Sequence, residues 1–215
     1  MVGGLVPKST GLVFDSAHQP GLAEPPAATL KDYSRWGNDG TFGGAGAPDW
    51  VRLPSGLWVL EVNGDDDYIT LDSIIYLPAD FTYMAWVNRT DDDSYDFWIA
   101  GINNDDRVGW SDANTYIAIA GNPLWVQAGI APTVGVWSLV VLRRLNGTLS
   151  QSINGGATQS DAGNAGTAKV RTLCSQATHT LSWGGRMSSP IVLSYSITQG
   201  QILQYHEKTR RLFGV

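Results

Sequence analysis

Three aspartates stand in a row in NGDDDYITL, residues 63–71, directly ahead of a strand-like run. Adjacent carboxylates repel one another, so the arrangement needs a compensating partner. That partner could be a metal ion, the amides of a tight turn, or a substrate. Calcium suits such a stretch, because it takes six to eight oxygen ligands from carboxylates, amides and carbonyls. The candidate ligands are Asp65 and Asp66, together with Asp91, Asp93 and Asp96 of a second acidic run. The alternative is that these residues build turns and spend their carboxylates on local amides. In that reading Asp67 ties down loop amides, while Asp65 and Asp66 face solvent or a cation.

Catalysis is the least supported use of these groups. Hydrolysis of a glycosidic bond needs two carboxyls, about 5–5.5 Å apart for retention or 6.5–9.5 Å for inversion. The chain has three glutamates, Glu24, Glu61 and Glu207, and no two share a strand in a cleft-facing pattern. Its histidines, His18, His179 and His206, are accompanied by no Gly-x-Ser-x-Gly elbow. The expectation is a protein that is not an enzyme.

Aromatic residues point to binding instead. Of nine tryptophans, two sit in loop-like composition: Trp36 beside Arg35 and Gly37, and Trp110 between Gly109 and Ser111. An exposed indole beside carboxylates grips a sugar by stacking on its apolar face while polar groups take the hydroxyls. Trp36, Trp110 and Asp112 are therefore the candidate ligand-binding residues. The alternative is that each indole plugs an end of the fold.

These residues need a scaffold, and composition bounds it. A chain of 215 residues with one cysteine, Cys174, forms one domain without an intramolecular disulfide. The net charge of −6 argues against nucleic acid, whose phosphates it would repel. The longest apolar run, 134–142, is far short of the ~20 residues a membrane helix needs. The start, MVGGLVPKST, lacks the apolar stretch of a secretory signal.

Alternating apolar and polar residues recur at 57–62, 68–71, 81–87, 97–102, 116–120, 137–142, 180–183 and 191–195, each bounded by Gly, Asn, Asp or Pro. Many short strands without βα alternation imply an all-β, two-sheet antiparallel sandwich of jelly-roll type. One segment departs from this period. In TQGQILQYHEKTRRLF, Thr198 and Gln201 have capping-box spacing, and Ile202, His206, Thr209 and Phe213 follow at helical intervals. One short C-terminal helix is predicted, on a domain spanning 11–215 behind an arm at 1–10.

Four stretches in order resemble the laminin-G-like domains of the concanavalin A-like lectin/glucanase superfamily, in its bacterial and phage version. They are KDYSRWGNDGTF (31–42), VLEVNGDDDYITL (59–71), DFTYMAWVN (80–88) and SYSITQGQILQYHEKTRRLF (194–213). The chain departs from the family pattern at Arg35 and Trp36, and in the stretch 187–191 before the last strand. The resemblance implies stacked antiparallel sheets with function in loops and on the concave face, and no single activity. The superfamily's glucanases carry a Glu-x-Asp-x-(x)-Glu strand, which this chain lacks.

The leading functional expectation is a non-catalytic binding, adhesion or structural module at a virion surface. Its partners would be capsid or other virion proteins or a second copy, with a surface glycan as a further ligand; the 1–10 arm would either dock on that neighbour or be a frayed terminus. The alternative is a calcium-dependent carbohydrate-binding module of a larger secreted enzyme or adhesin.

Overall fold

A computed structural model describes residues 12–15, 28–90, 96–101, 106–111, 114–119, 122–126, 131–156, 159–162, 166–175 and 183–215. The 1–10 arm lies outside them. The strands are β1 (Leu12–Asp15), β2 (Thr29–Leu30), β3 (Gly40–Gly43), β4 (Asp49–Arg52), β5 (Trp58–Asn63), β6 (Tyr68–Tyr76), β7 (Phe81–Arg89) and β8 (Asp96–Ala100). They continue with β9 (Arg107–Ser111), β10 (Asn114–Ile119), β11 (Asn122–Val126), β12 (Ser138–Leu145), β13 (Thr148–Ile153), β14 (Gln159–Ala162), β15 (Lys169–Leu173) and β16 (Gly184–Leu193). Helix α1 (Gln199–Thr209) runs into a 3-10 turn, Arg210–Leu212.

Two eight-stranded sheets result. The first has the order β14-β13-β12-β7-β16-β5-β4, with β1 pairing on the far half of β16; the second has the order β11-β10-β9-β8-β15-β6-β3-β2. The pairings in both are antiparallel. The predicted all-β jelly-roll sandwich with one C-terminal helix is the fold observed.

Strand β7 shows why the sheets stack as they do. In FTYMAWVNR, alternate residues enter different cores. Tyr83, Ala85 and Val87 join Leu60, Val62, Ile69, Leu71, Val140 and Val170 in the layer between the sheets. Met84 and Trp86 face the other way, into a second core with Val59, Leu139, Val141, Ile202, Tyr205 and Phe213. The helix thus covers the outer face of the first sheet, and a strand buried on both faces reads as a nearly continuous apolar run. Parity flips within β16, where Met187 and Val192 both face the inter-sheet core. An irregularity in register between Ser188 and Ile191 makes this possible.

The helix is capped as its sequence predicts. The Thr198 hydroxyl accepts the Gln201 N–H at 3.3 Å, and the Gln201 side chain accepts the Thr198 N–H at 2.8 Å. Inside the second core the Trp86 ring stacks on Phe213 at 4.3 Å and on His206 at 5.5 Å. Its Nε1 donates to the Thr209 hydroxyl at 3.0 Å. His206 is therefore a packed residue of the helix stripe.

Several strands escaped the periodicity: β1–β4, β9, β11 and β13–β15. They are short, and β13 (TLSQSI) carries polar residues that are nevertheless buried, among them Gln151 and Ser152. Pairing with β12 and β14 satisfies their backbone, so strand formation there follows from neighbours rather than from side-chain pattern. Of the predicted 180–183 strand, residues 180–182 lie outside the described residues, and Trp183 precedes β16.

Trp86→Ala removes the stacked ring that joins sheet to helix. It is expected to cost about 3–5 kcal/mol in urea denaturation, with helix amides losing hydrogen-exchange protection before those of β7.

Candidate functional site

The loop before β3 is held by its own aspartates. Asp32 is buried, and its carboxylate accepts the Ser34 N–H and hydroxyl, both at 2.8 Å, and the Asn38 N–H at 2.7 Å. Asp39 closes the loop from the other side, accepting the Asp32 N–H at 2.9 Å and Lys31 Nζ at 2.6 Å. Those bonds hold the Asp39 carboxyl below its ordinary range, against the opposing pull of burial. The Ser34 hydroxyl in turn accepts the Trp36 N–H at 3.2 Å. Gly37 follows with φ +56°, a conformation that places Trp36 at the loop tip without a Cβ penalty.

Strand β6 supplies the facing wall. Its pairing with β15 jumps from Val170↔Ile75 to Thr172↔Thr70, so residues 71–74 bulge away from β15. Asp72 and Ser73 are both exposed, where strict alternation would bury one of them. Asn38 stitches the bulge to the loop in both directions: its Nδ2 donates to the Ser73 carbonyl at 2.9 Å, and its Oδ1 accepts the Ser73 N–H at 2.6 Å. The Asp72 N–H adds a bond to the Asp39 carbonyl at 2.8 Å.

Between loop and bulge lies a groove of about 360 Å³, lined by Trp36, Gly37, Asn38 and residues 72–76. That is at the lower end of ligand-pocket volumes. Trp36 is 60% exposed and Tyr76 62% exposed, the two most exposed large aromatics of the described residues. The Arg35 guanidinium lies 4.7 Å from the Trp36 ring centroid and pins the indole by a cation–π contact. Among the described residues, Asp72 is the one carboxylate of the lining.

Trp36 is thus placed at a groove mouth, but Trp110 is not a loop residue. It sits in β9, fully buried in the inter-sheet core, with its ring near Trp183 and under the Arg89 guanidinium at 5.5 Å. The expectation that it presents an indole to a ligand is corrected: glycine and serine beside it belong to a strand whose alternate residues face inward. Asp112, Asp91 and Asp93 lie outside the described residues, and Asp96 is described only as the start of β8.

The aspartate triplet is resolved as a turn. Asn63 Oδ1 accepts the Asp65 N–H at 2.8 Å and the Asp66 N–H at 3.2 Å. Asp66 does not simply face solvent: its carboxylate accepts the Ala45 N–H at 2.7 Å and the Asn63 amide at 3.1 Å, and these hold its carboxyl below the usual range. Gly44, at φ +111°, permits this approach, since a Cβ there would come within 2.5 Å of the Asp66 carbonyl. Asp67 is buried and accepts the Asn63 N–H at 2.9 Å, as expected of a residue that ties loop amides. Burial nevertheless pushes its carboxyl up, and the nearby Asp66 and Asp49 charges add to this. Among the described residues, no three acidic, histidine or cysteine side chains are placed to share one ion.

Sequence reasoning missed Asn38, Asp72, Ser73 and Tyr76. The signal available was DSIIY, where two polar residues follow Leu71 and stop the alternation. Read locally this ends the strand, whereas β6 continues through the bulge to Tyr76.

With the geometry in place, the chain can be set beside known proteins. It belongs to the laminin-G-like family of the concanavalin A-like lectin/glucanases superfamily, whose sequence profile matches residues 63–203. No curated protein sequence matches it. Among solved structures it is similar to domain 4 of a GH43 extracellular arabinanase from Geobacillus stearothermophilus, in complex with arabinotriose. That match has a TM-score of 0.72 and 13% identity, and covers 91% of this chain and 98% of that domain. It is also similar to the botulinum neurotoxin serotype D ligand-binding domain in complex with N-acetylneuraminic acid, with a TM-score of 0.64 and 13% identity. There 92% of this chain is covered but only 51% of the other. The protein thus spans about half the length of the toxin domains it matches.

Two outcomes test the turn. Because the folded Asp67 carboxyl titrates above its unfolded value, the folded state binds the extra proton, and stability falls as pH rises from the ordinary carboxylate range through the raised value. Asp67→Asn keeps an acceptor for the Asn63 N–H without the charge. It is expected to melt higher than wild type near neutral pH, with the difference closing in acid. For calcium, a bound ion at a hundredfold excess over its Kd would add about 2.7 kcal/mol. Wild type and Asp67→Asn are expected to respond identically to millimolar calcium, and a melting rise that the variant loses would put a cation on this turn.

Proposed function

We propose that the protein is a non-catalytic carbohydrate-binding module that holds a sugar in the groove between Trp36 and Tyr76. The observation that carries this reading is the pair of exposed rings on a groove whose polar lining is preset. Asn38 and the aspartates of the loop engage the surrounding backbone, while the side chains of Asp72 and Tyr76 are bound to none of the described residues. A sugar presents an apolar face for the rings and hydroxyls for the carboxylate. Preorganisation lowers the ordering cost of binding, which matters for a shallow site.

Two further points support it. Among the described residues the lining carries a single carboxylate, and glycosidic hydrolysis runs on two. The similar domains of the arabinanase and the toxin are described with arabinotriose and N-acetylneuraminic acid, so the fold is one on which sugars are held. This places glycan binding ahead of the virion-surface role expected from sequence, which draws on no feature of the groove. In this reading the module anchors a partner or a larger chain to a glycan surface, and calcium is not required at the groove.

Trp36→Ala and Tyr76→Ala are each expected to weaken retention on an immobilised glycan array by about tenfold, on the order of 1.4 kcal/mol. Melting temperature should stay nearly unchanged, as for exposed positions generally, within about 0.5 kcal/mol. Retention unaffected by either variant would locate binding elsewhere on the sandwich.

A further inference from the structure

The groove also indicates which glycans it accepts. We infer that it selects neutral sugars over carboxylated ones, with Asp72 as the specificity-determining residue; this rests on the reading of the groove as the glycan site. Among the described residues Asp72 is the only charged side chain in the lining, and it is exposed on the bulge of β6. No described residue engages its carboxylate. The other carboxylates of the loop differ: Asp32 is filled by loop donors, and Asp39 by Lys31 and the Asp32 amide.

An ionised carboxylate is an acceptor only, with two oxygens that can take two O–H donors at once. Its natural complement is a pair of adjacent sugar hydroxyls, held by short charge-assisted hydrogen bonds. Tyr76 beside it offers a phenol and an aromatic face, and Trp36 opposite offers the larger face. A uronic or sialic acid brings a second carboxylate to the same short groove. Like charges at hydrogen-bonding range repel, and the net charge of −6 adds to the unfavourable field. Among the described residues, Arg35 holds its guanidinium 4.7 Å from the Trp36 ring centroid, and Lys31 of the same loop is paired with Asp39 at 2.6 Å.

The bulge explains why the carboxylate is available. On a regular strand, alternation would place one of residues 72 and 73 inside; the extra residues between Thr70 and Ile75 turn both outward. Asn38 then fixes the Ser73 backbone, so the Asp72 carboxylate is presented from a braced segment.

The test uses matched probes on the full chain, neutral oligosaccharides against their carboxylated counterparts. Lactose with sialyl-lactose is one pair, and cellobiose with its C6-oxidised uronic form is another. Retention is measured for wild type, Asp72→Asn, Trp36→Ala and Arg35→Ala, with melting temperature as the folding control. The expected result is at least tenfold stronger retention of a neutral probe than of its carboxylated partner, with the gap closing in Asp72→Asn. Carboxylated probes retained equally or better, through binding that Trp36→Ala abolishes, would overturn the selectivity and leave the groove reading standing. Loss of that preference in Arg35→Ala would name the guanidinium as its cause. If neither class is retained by wild type, the groove reading itself falls and the selectivity falls with it.

Discussion

The structure depends on one sheet being buried on both faces. Strand β7 sits at its centre, paired to β12 and β16, and sends Tyr83, Ala85 and Val87 one way and Met84 and Trp86 the other. An exposed outer face bearing Trp86, Leu139 and Val141 would be a large apolar patch of the kind that soluble monomers avoid. The C-terminal helix removes it, and the stacked Trp86, Phe213 and His206 rings lock the cover in place. With one sheet committed on both sides, the second sheet is left with an outer surface and loops free to carry function.

The groove is built from that freedom, but it is not loose. Loops usually vary and move, and a site on a loop gains precision only from a supporting shell. Here the shell is made of carboxylates and amides. Asp32 gathers donors from within the loop, Asp39 ties its two ends, and Asn38 reaches across to Ser73. The rings of Trp36 and Tyr76 are exposed while the backbone beneath them is hydrogen-bonded. Arg35 and Trp36 are thus among the residues that give this groove its character.

The aspartate triplet follows the same economy. Three neighbouring charges are divided among three environments: Asp65 is exposed, Asp66 is stabilised by the Ala45 amide, and Asp67 is buried with its carboxyl pushed up. Asn63 organises all three by accepting their amides with one side-chain oxygen. Backbone donors engage the carboxylates of Asp66 and Asp67, and the residual tension falls on Asp67.

What the sequence determined by itself was the fold class, the central strands and the helix, because those features are written in local period and capping: β7 in its apolar run, α1 in Thr198 and Gln201. It also pointed to the amide-binding role of Asp67. It did not determine which indole faces water. Trp36 and Trp110 have equally loop-like neighbours, and only the pairing of β9 with β8 and β10 buries Trp110. Nor could it reveal Asp72, Ser73 and Tyr76 as a wall. Their exposure depends on how β6 registers against β15, and register between strands about a hundred residues apart in the chain is decided by tertiary packing, not by either strand alone.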